Sequence, residues 1–134
     1  MSEKVDHIGI AVHDLKDALA TYETALDMTL EGTEVVEEQK VRVAKLRAGD
    51  DCIELLEPTS EDSPIAKFLE KRGGGIHHIC LEVADIEATM ARLSDAGMRL
   101  IDRKPKIGAG GHRIAFVHPA STHGVLIELS ENAQ

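Results

Sequence analysis

"VDHIGIAVHDLKDALATYETA" (residues 5–25) decides the fold, because "IHHICLEVADIEATMARLSDA" (residues 76–96) repeats its pattern at a shift of 71 residues. Apolar residues fall on apolar residues along both stretches, and the shift places His7 on His78. Internal similarity of this kind changes how every other motif in the chain is read.

The repeat reaches the ends of both halves of the chain. "RVAKL" (42–46) matches "RIAFV" (113–117) at the same shift, and "CIELLE" (52–57) matches "LIELSE" (126–131) at a shift of 74 residues. The additional residues fall in "HPASTHG" (118–124), a turn in which an insertion costs little free energy. Matches that keep their order through the whole chain indicate a duplicated module.

Each module has the pattern of one strand, one helix and three further strands. Alternating apolar residues predict the first strand of each module at 5–12 and 76–83. Asp14 and Asp85 each stand at the N-cap position before a segment with helical spacing of its apolar residues. The other strands are expected at about 28–36, 41–48, 51–57, 98–103, 112–118 and 124–130.

A linker joins the two modules. Ser63 is expected to cap a short helix with Pro64 at its first position, and Gly73 to Gly75 end that helix and allow a turn. The fold class is therefore α+β: two tandem βαβββ modules related by a pseudo-twofold axis, with curved mixed sheets that form a cleft. We expect one domain over residues 1–134, with module one at about 5–57, the linker helix at about 58–75 and module two at about 76–131.

Composition limits the classes of function. The formal net charge of −9 argues against binding to nucleic acid or to anionic membranes, since both need a basic surface. Cys52 and Cys80 are too few for a disulfide framework and fit a reducing compartment. The first residues lack the apolar stretch of a signal peptide, and no run reaches the length of a transmembrane helix. We expect a cytoplasmic protein.

Strand alternation indicates which side chains share a face. In the first strands it places His7 and His78 opposite the apolar, helix-packing face, and it leaves His77 on the helix side or at the frayed start of its strand. In the last strands it places Glu54 and Glu128 on the same inner face as the two histidines. Carboxylates in such apolar strands are costly to bury without a partner.

The four inward side chains predict a metal site. Two imidazoles and two carboxylates neutralise a divalent cation and leave two positions open on an octahedral ion such as Co²⁺, Ni²⁺, Mn²⁺ or Fe²⁺. Zinc also accepts this ligand set. The alternative is that the glutamates lie on the surface and the histidines bond to the backbone. The repeated His and Glu with matching parity favour the metal site.

Several stretches resemble one family closely. "VDHIGIAV", "ELLEPTSEDSPIAKFLEKRGGGIHHICLEV", "KPKIGAGGHRIAFVHP" and "HGVLIEL" are similar to methylmalonyl-CoA epimerases of the vicinal oxygen chelate, or glyoxalase-like, superfamily, over essentially the whole chain. The resemblance implies one divalent metal ion per chain, with Co²⁺ expected and Ni²⁺, Mn²⁺, Fe²⁺, Mg²⁺ or Zn²⁺ as alternatives. Its ligands would be His7, His78 and Glu128, with Glu54 as the fourth.

The resemblance also implies an isomerase that interconverts (2R)- and (2S)-methylmalonyl-CoA in propionyl-CoA metabolism, acting as a homodimer. The proton between the thioester and the carboxylate moves by 1,1-transfer through a metal-stabilised enolate, which needs an acid/base group on each face of the carbon. Glu128 is expected on one face. Some family members carry the other as a glutamate at the position of Val43, where this sequence departs from the pattern. We expect Glu54 to take that role.

The stretch "RKPKIGAGGHR" (103–113) concentrates basic residues in an otherwise acidic chain. Lys104, Lys106 and Arg113 are candidates for binding the substrate carboxylate or the CoA phosphates, and the glycines allow close backbone approach. A solvated basic hairpin is the alternative.

Other members of the superfamily provide competing functions. A glyoxalase I-type lactoylglutathione lyase uses the same ligand set and is the main alternative enzyme. An extradiol dioxygenase fits less well, because its metal set has a single glutamate. Binding modules that sequester drugs use aromatic platforms, whereas this chain has only Tyr22, Phe68 and Phe116.

Overall fold

The computed structural model describes residues 2–131, which divide into two compact units. The first unit is His7–His77, and the second unit contains residues 2–6 together with residues 78–131. The division follows the repeat in the sequence, with the linker helix in the first unit. The expectation of a single domain stays a prediction.

The first unit contains a four-stranded mixed sheet. The strand order is β2-β3-β4-β1, in which β1 and β4 run parallel and the other neighbours run antiparallel. Strand β1 contributes residues to both units. The elements are β1 (Ser2–Ala11), α1 (Leu15–Leu19), β2 (Thr29–Val36), β3 (Val41–Ala48), β4 (Asp51–Pro58) and α2 (Pro64–Arg72).

The second unit has the same arrangement. Its strand order is β5-β8-β7-β6, with β5 and β8 parallel and the other neighbours antiparallel. The elements are β5 (Gly75–Val83), whose first three residues fall in the first unit, α3 (Ile86–Asp95), β6 (Lys106–Ile107), β7 (Arg113–Val117) and β8 (Ile127–Glu131). The βαβββ order therefore occurs twice, and the prediction of an α+β fold with tandem modules is confirmed.

The repeat extends to the register of the parallel strand pairs. Ile8 lies opposite Ile53 in the first unit, and Ile79 lies opposite Ile127 in the second. These four residues correspond under the shifts of 71 and 74 residues found in the sequence. A slip of one residue would exchange the faces of every side chain, so the shared register keeps equivalent residues on equivalent faces.

Each unit buries its apolar strand face against its own helix. In the first unit Leu15 of α1 packs with Leu46 and Leu55 of the sheet. In the second unit Ile86 and Met90 of α3 pack with core residues that include Val83, Ala115, Val117 and Leu129. Burial of these apolar side chains stabilises each unit. In the first unit the opposite sheet face is shared between an apolar cluster that packs against α2 and the polar residues His7 and Glu54.

The predicted helix caps are confirmed. The Asp14 carboxylate accepts a hydrogen bond from the Asp17 N–H, and the Asp85 carboxylate accepts one from the Ala88 N–H, both at 3.1 Å. Helix α1 then differs from the expected regular helix: it continues as a π-helical segment, Ala20–Ala25, that ends with a bond from the Leu26 N–H to an oxygen five residues back.

The linker helix α2 also begins and ends as predicted. The Ser63 hydroxyl accepts a hydrogen bond from the Ile65 N–H, and Pro64 occupies the first helical position. Gly73 ends the helix with a φ of 78°, a left-handed conformation that favours glycine. Within residues 2–131 the helices fall short of the length and apolar character that crossing a membrane requires.

The prediction of a strand over 98–103 is wrong. Leu100 forms a single bridge, to Val117. It is flanked by a hydrogen bond from the Ile101 N–H to the Phe116 carbonyl and by one from the His118 N–H to the Arg99 carbonyl. The Phe116 N–H, which the next step of a ladder would use, donates instead to the Asp102 carboxylate at 2.8 Å. A side chain therefore replaces the backbone partner and ends the pairing after one rung. The strand that precedes β7 in the structure is instead β6, which has only two residues.

Candidate metal centre

The first unit holds a buried His–Glu pair on its polar sheet face. Because β1 and β4 are parallel neighbours with Gly9 opposite Glu54, the side chain of His7 projects beside that of Glu54. His7 Nε2 lies 3.3 Å from Glu54 Oε1. The two residues are only 6% and 9% exposed, so water screens the carboxylate poorly.

The second unit holds the equivalent pair. Cys80 lies opposite Glu128 in the parallel pair β5–β8, and His78 Nε2 is 2.9 Å from Glu128 Oε1. These residues are also buried, at 5% and 7% exposure for His78 and Glu128. The edge of the Phe116 ring packs on the His78 imidazole, with 6.0 Å between ring centroids. The structure therefore brings each predicted histidine to its predicted glutamate.

The chemistry of these side chains fits a divalent metal ion. His7, His78 and Glu128 each offer a ligand atom of the kind that holds such an ion. A buried carboxylate needs a compensating positive charge, and imidazole nitrogen with carboxylate oxygen suits first-row transition metals. Both pairs consist of one imidazole and one carboxylate, so the two modules present the same ligand chemistry.

Comparison with known proteins identifies the family of the chain. The family model described as the Glyoxalase/Bleomycin resistance protein/Dioxygenase superfamily matches residues 6–116. The chain belongs to this superfamily. An ethylmalonyl-CoA/methylmalonyl-CoA epimerase of Cereibacter sphaeroides is 43% identical over 133 residues, which cover 98% of this chain and 99% of the relative.

Solved structures point to the same members of the superfamily. A variant methylmalonyl-CoA epimerase of Streptomyces coelicolor, in complex with 2-nitronate-propionyl-CoA, aligns with a TM-score of 0.96 and 42% identity over all of both chains. A methylmalonyl-CoA epimerase in complex with methylmalonyl-CoA and NH4+ aligns with a TM-score of 0.95 and 42% identity, covering 99% of this chain and 96% of that one. The resemblance to the epimerases of the superfamily is confirmed.

The two adjacent histidines of this superfamily member have different surroundings. His78 faces Glu128, whereas the His77 ring meets the Phe68 ring edge-on at 5.0 Å between centroids. The Arg72 guanidinium lies 5.8 Å from the centre of the same Phe68 ring. His77 therefore packs against the linker helix α2, whereas His78 pairs with Glu128.

The position of Val43, where some epimerases of the superfamily carry a glutamate, is part of a core. Val43 is buried on β3 with Ala11, Leu56 and the linker-helix residues Ile65 and Leu69 around it. Its environment is apolar, so the described structure offers no carboxylate at this position. The buried carboxylate on the same sheet face of this unit is that of Glu54.

The three basic residues predicted to bind substrate lie in three different environments. Lys106 of β6 forms an ion pair with Asp102 at 3.0 Å, and its ammonium lies 5.2 Å from the centre of the Phe116 ring. Lys104 is exposed and lines a groove beside α3. The stretch 103–113 is therefore not a single basic patch.

Arg113 is held on the helix side of the sheet. Its guanidinium pairs with Glu87 at 2.9 Å and with Glu131 at 3.1 Å. The hydrogen bond to Glu87 and then that to Glu131 raise the pKa of Arg113 above its usual value. These contacts favour a structural role, and substrate binding by Arg113 stays a prediction.

Two site residues escaped prediction from the sequence. Phe116 lies opposite Glu128 in β7–β8 and contacts both the His78 ring and the Lys106 ammonium. Asp102 anchors Lys106 and bonds to the Phe116 backbone. The alternation of "RIAFV" places Phe116 on the face opposite the helix, so its position near the site could have been predicted. Asp102 follows a segment without sequence periodicity, so the direction of its side chain could not.

Proposed function

We propose that the protein is a metal-dependent epimerase that interconverts (2R)- and (2S)-methylmalonyl-CoA. The observation that carries the proposal is the pair of buried His–Glu contacts, which occur at equivalent positions in both modules of a chain that belongs to this superfamily. The epimerase relatives add support for the acyl-CoA substrate, since one of them was solved with methylmalonyl-CoA.

The ligands of the metal ion in this proposal are His7, Glu54, His78 and Glu128. Co²⁺ is the expected ion, and Ni²⁺, Mn²⁺, Fe²⁺, Mg²⁺ and Zn²⁺ are the alternatives. When bound, the ion supplies a fixed positive charge for the oxygen that becomes negative as the proton leaves. The burial of all four side chains supports the proposal, because a water-poor site strengthens such electrostatic stabilisation.

Two carboxylates move the proton in this mechanism. The reaction removes the proton from C2, between the thioester and the carboxylate, and returns a proton to the opposite face. Glu128 acts on one face and Glu54 on the other. The apolar surroundings of Val43 support the second assignment, because Glu54 is the buried carboxylate that the first unit offers on that sheet face.

In this proposal Lys106 binds the carboxylate of the substrate, which is attached to the reacting carbon. Its ammonium lies over Phe116, whose ring packs on His78. The ion pair with Asp102 orients Lys106 without burying it, since the lysine side chain is 33% exposed. The cation is thus available for a substrate carboxylate at the edge of the polar face.

Solvent deuterium incorporation tests the reaction. Wild-type protein is stripped of metal, reloaded with Co²⁺ or left without it, and incubated with each epimer of methylmalonyl-CoA in D2O. We expect deuterium at C2 together with epimerisation, both dependent on the metal. Absence of exchange with either epimer, in protein that has bound Co²⁺, would overturn the proposal. Turnover of a hemithioacetal in its place would identify a glyoxalase I-type lyase.

The Glu54→Gln variant tests the second acid/base group. Glutamine keeps the shape and one ligand oxygen but cannot accept a proton, so epimerisation should fall by about 10²- to 10⁴-fold. Exchange should persist with the epimer whose proton faces Glu128. Full epimerisation and exchange by a metal-loaded variant would show that Glu54 is not the base.

The proposed setting is a homodimer in the cytoplasm that serves propionyl-CoA metabolism. Sedimentation equilibrium of the purified protein measures the oligomeric state, and a homodimer has twice the chain mass of 14.5 kDa. Fractionation of cells followed by detection of the protein tests the cytoplasmic location.

A further inference from the structure

We propose that a groove beside helix α3 binds the nucleotide end of the acyl-CoA substrate. This inference rests on the proposed function and extends it to a second subsite. The groove lies wholly within the second unit, between α3 and residues 98–105, and has a volume of about 520 Å³. That volume falls in the range of small-molecule sites.

The floor of the groove is apolar and adaptable. Met90 of α3 is buried, and the half-buried Met98 and Leu100 pack beside it. Thioether side chains are polarisable and make favourable contacts with aromatic rings. A flat heteroaromatic base such as adenine suits this floor, with the polar Ser94 at its edge.

The charged residues that line the groove give it a net positive character, because its acidic residues are paired with cations outside the lining. Two acidic residues line it, but Glu87 is paired with Arg113 and Asp102 is paired with Lys106. Arg103 and Lys104 also line the groove and are exposed.

Within residues 2–131 no ion pair engages either Arg103 or Lys104, although acidic residues outnumber basic ones in the chain. Two such cations beside an apolar floor complement a ligand that joins a base to phosphates. Arginine binds phosphate in a bidentate manner, and lysine acts as a point charge.

The groove lies on the helix side of the second unit's sheet, and the His78–Glu128 pair lies on the other side. Lys104 lines the groove, and Lys106, two residues later, lies over Phe116 on the face that carries Glu128. The segment between them therefore leads from the groove to the site around an edge strand, β6. Neighbouring strands are about 4.8 Å apart, so the two steps from β8 to β6 span about 10 Å. An acyl-CoA that occupies both places must therefore pass around this edge strand with its pantetheine arm extended.

The test compares two substrates and two double variants. Arg103→Gln with Lys104→Gln removes both groove cations, and Arg92→Gln with Arg99→Gln removes two exposed cations of the same unit that do not line the groove. KM is measured with methylmalonyl-CoA and with methylmalonyl-pantetheine, which lacks the nucleotide.

For the groove variant we expect KM for methylmalonyl-CoA to rise about tenfold or more, as the loss of two charge-assisted bonds implies, with kcat unchanged. KM for the pantetheine substrate should stay at the wild-type value, and the control variant should change neither KM by more than about twofold, the scale of a screened charge effect. An equal rise in KM for both substrates, or in both variants, would overturn the inference.

Direct binding separates this inference from the proposed function. Calorimetry with coenzyme A itself needs no turnover, so it can be performed even if the protein does not epimerise methylmalonyl-CoA. We expect the groove variant to bind coenzyme A at least tenfold more weakly than the wild type or the control variant. Equal affinities would exclude the groove as the nucleotide site, whatever reaction the protein catalyses.

Discussion

The two units keep the same framework around their His–Glu pairs and differ elsewhere. In the first unit the carboxylate of Glu57, at the end of β4, accepts hydrogen bonds from the Leu15 N–H at 2.9 Å and from the Arg42 guanidinium at 2.6 Å. Glu57 thus joins the first turn of α1 to the strand that carries Glu54. A carboxylate at a helix N-terminus is also favoured by the helix dipole.

The second unit repeats this contact at the end of β8. Glu131 accepts hydrogen bonds from the Ile86 N–H at 2.8 Å and from the Arg113 guanidinium at 3.1 Å. The strand that carries Glu128 is therefore tied to its helix in the same way. We call the contacts of Glu57 and Glu131 the two strand–helix clamps.

The differences lie away from the clamps. Helix α1 passes into a π-helical segment where α3 stays regular, and the eight-residue β2 has only the two-residue β6 as its counterpart. The two units thus share the position of the strands that carry the His–Glu pairs and differ in the remaining elements. The groove beside α3 lies where the second unit departs from the first.

The largest effect on metal content and activity is expected from removing the histidine of one His–Glu pair at a time. His7→Ala and His78→Ala should each remove most of the bound metal. Each should also lower kcat/KM by more than the ~100-fold typical of losing a neighbour of a metal ligand. Metal content by elemental analysis and steady-state kinetics check this. A variant that keeps full metal and activity would show that its histidine is no ligand.

The next effect compares the two cores. Leu55 and Leu129 occupy equivalent positions and are 0% and 2% exposed. Because each leaves a cavity when truncated, Leu55→Ala and Leu129→Ala should each lower the free energy of unfolding by about 2–5 kcal/mol. Urea denaturation measures both. A loss confined to one variant would mean that only one of the units limits the stability of the chain.

A smaller effect is expected at the strand–helix clamps. Glu57→Gln and Glu131→Gln should each destabilise the protein by about 1–2 kcal/mol, because a helix N–H and an arginine lose a charged acceptor. Thermal denaturation measures the loss. Asp17→Asn, at an exposed position of α1, serves as the charge control. If the clamp variants melt like the control, the contacts do not stabilise the strands.

The smallest expected effect on stability comes from the Lys40–Asp62 ion pair, which has no equivalent in the second unit because glycine replaces the lysine there. Lys40 pairs with Asp62, whereas the residue equivalent to Lys40 is Gly111. The hydrogen bond from Lys40, followed by that from Ser60, lowers the pKa of Asp62 from 3.8 to about 2. A depressed carboxyl pKa stabilises the folded protein above about pH 4, and that contribution disappears as pH falls towards 2.

The Asp62→Asn variant should therefore differ slightly from the wild type at neutral pH and converge with it near pH 2. Urea midpoints across this range measure the difference. A difference that stays constant with pH would show that the carboxylate charge of Asp62 is not its source.

Much of the framework could be predicted from the sequence because it depends on short-range pattern. Alternation along "VDHIGIAV" and "GVLIEL" separates His7 and Glu128 from the apolar face, whatever the strands pack against. Asp14, Asp85 and Ser63 act as caps through contacts within three residues, so their roles also follow from local sequence.

Two features could not be predicted because they depend on contacts between distant segments. Asp102 ends the expected strand over 98–103 by accepting the Phe116 N–H, which lies 14 residues away. The directions of Lys106 and Arg113 depend on the short strands that follow, so a basic stretch that is continuous in sequence divides between two faces of the sheet.

The sequence by itself determined the duplicated βαβββ pattern, the helix caps and the faces of the four candidate ligands, because these follow from periodicity and from a repeat that fixes equivalent residues. Only the tertiary structure decided which nitrogen meets which carboxylate, where the last sheet narrows to β6, and that a groove opens beside α3. These features depend on hydrogen bonds and packing between segments that are far apart in the chain. A local sequence pattern therefore does not predict them.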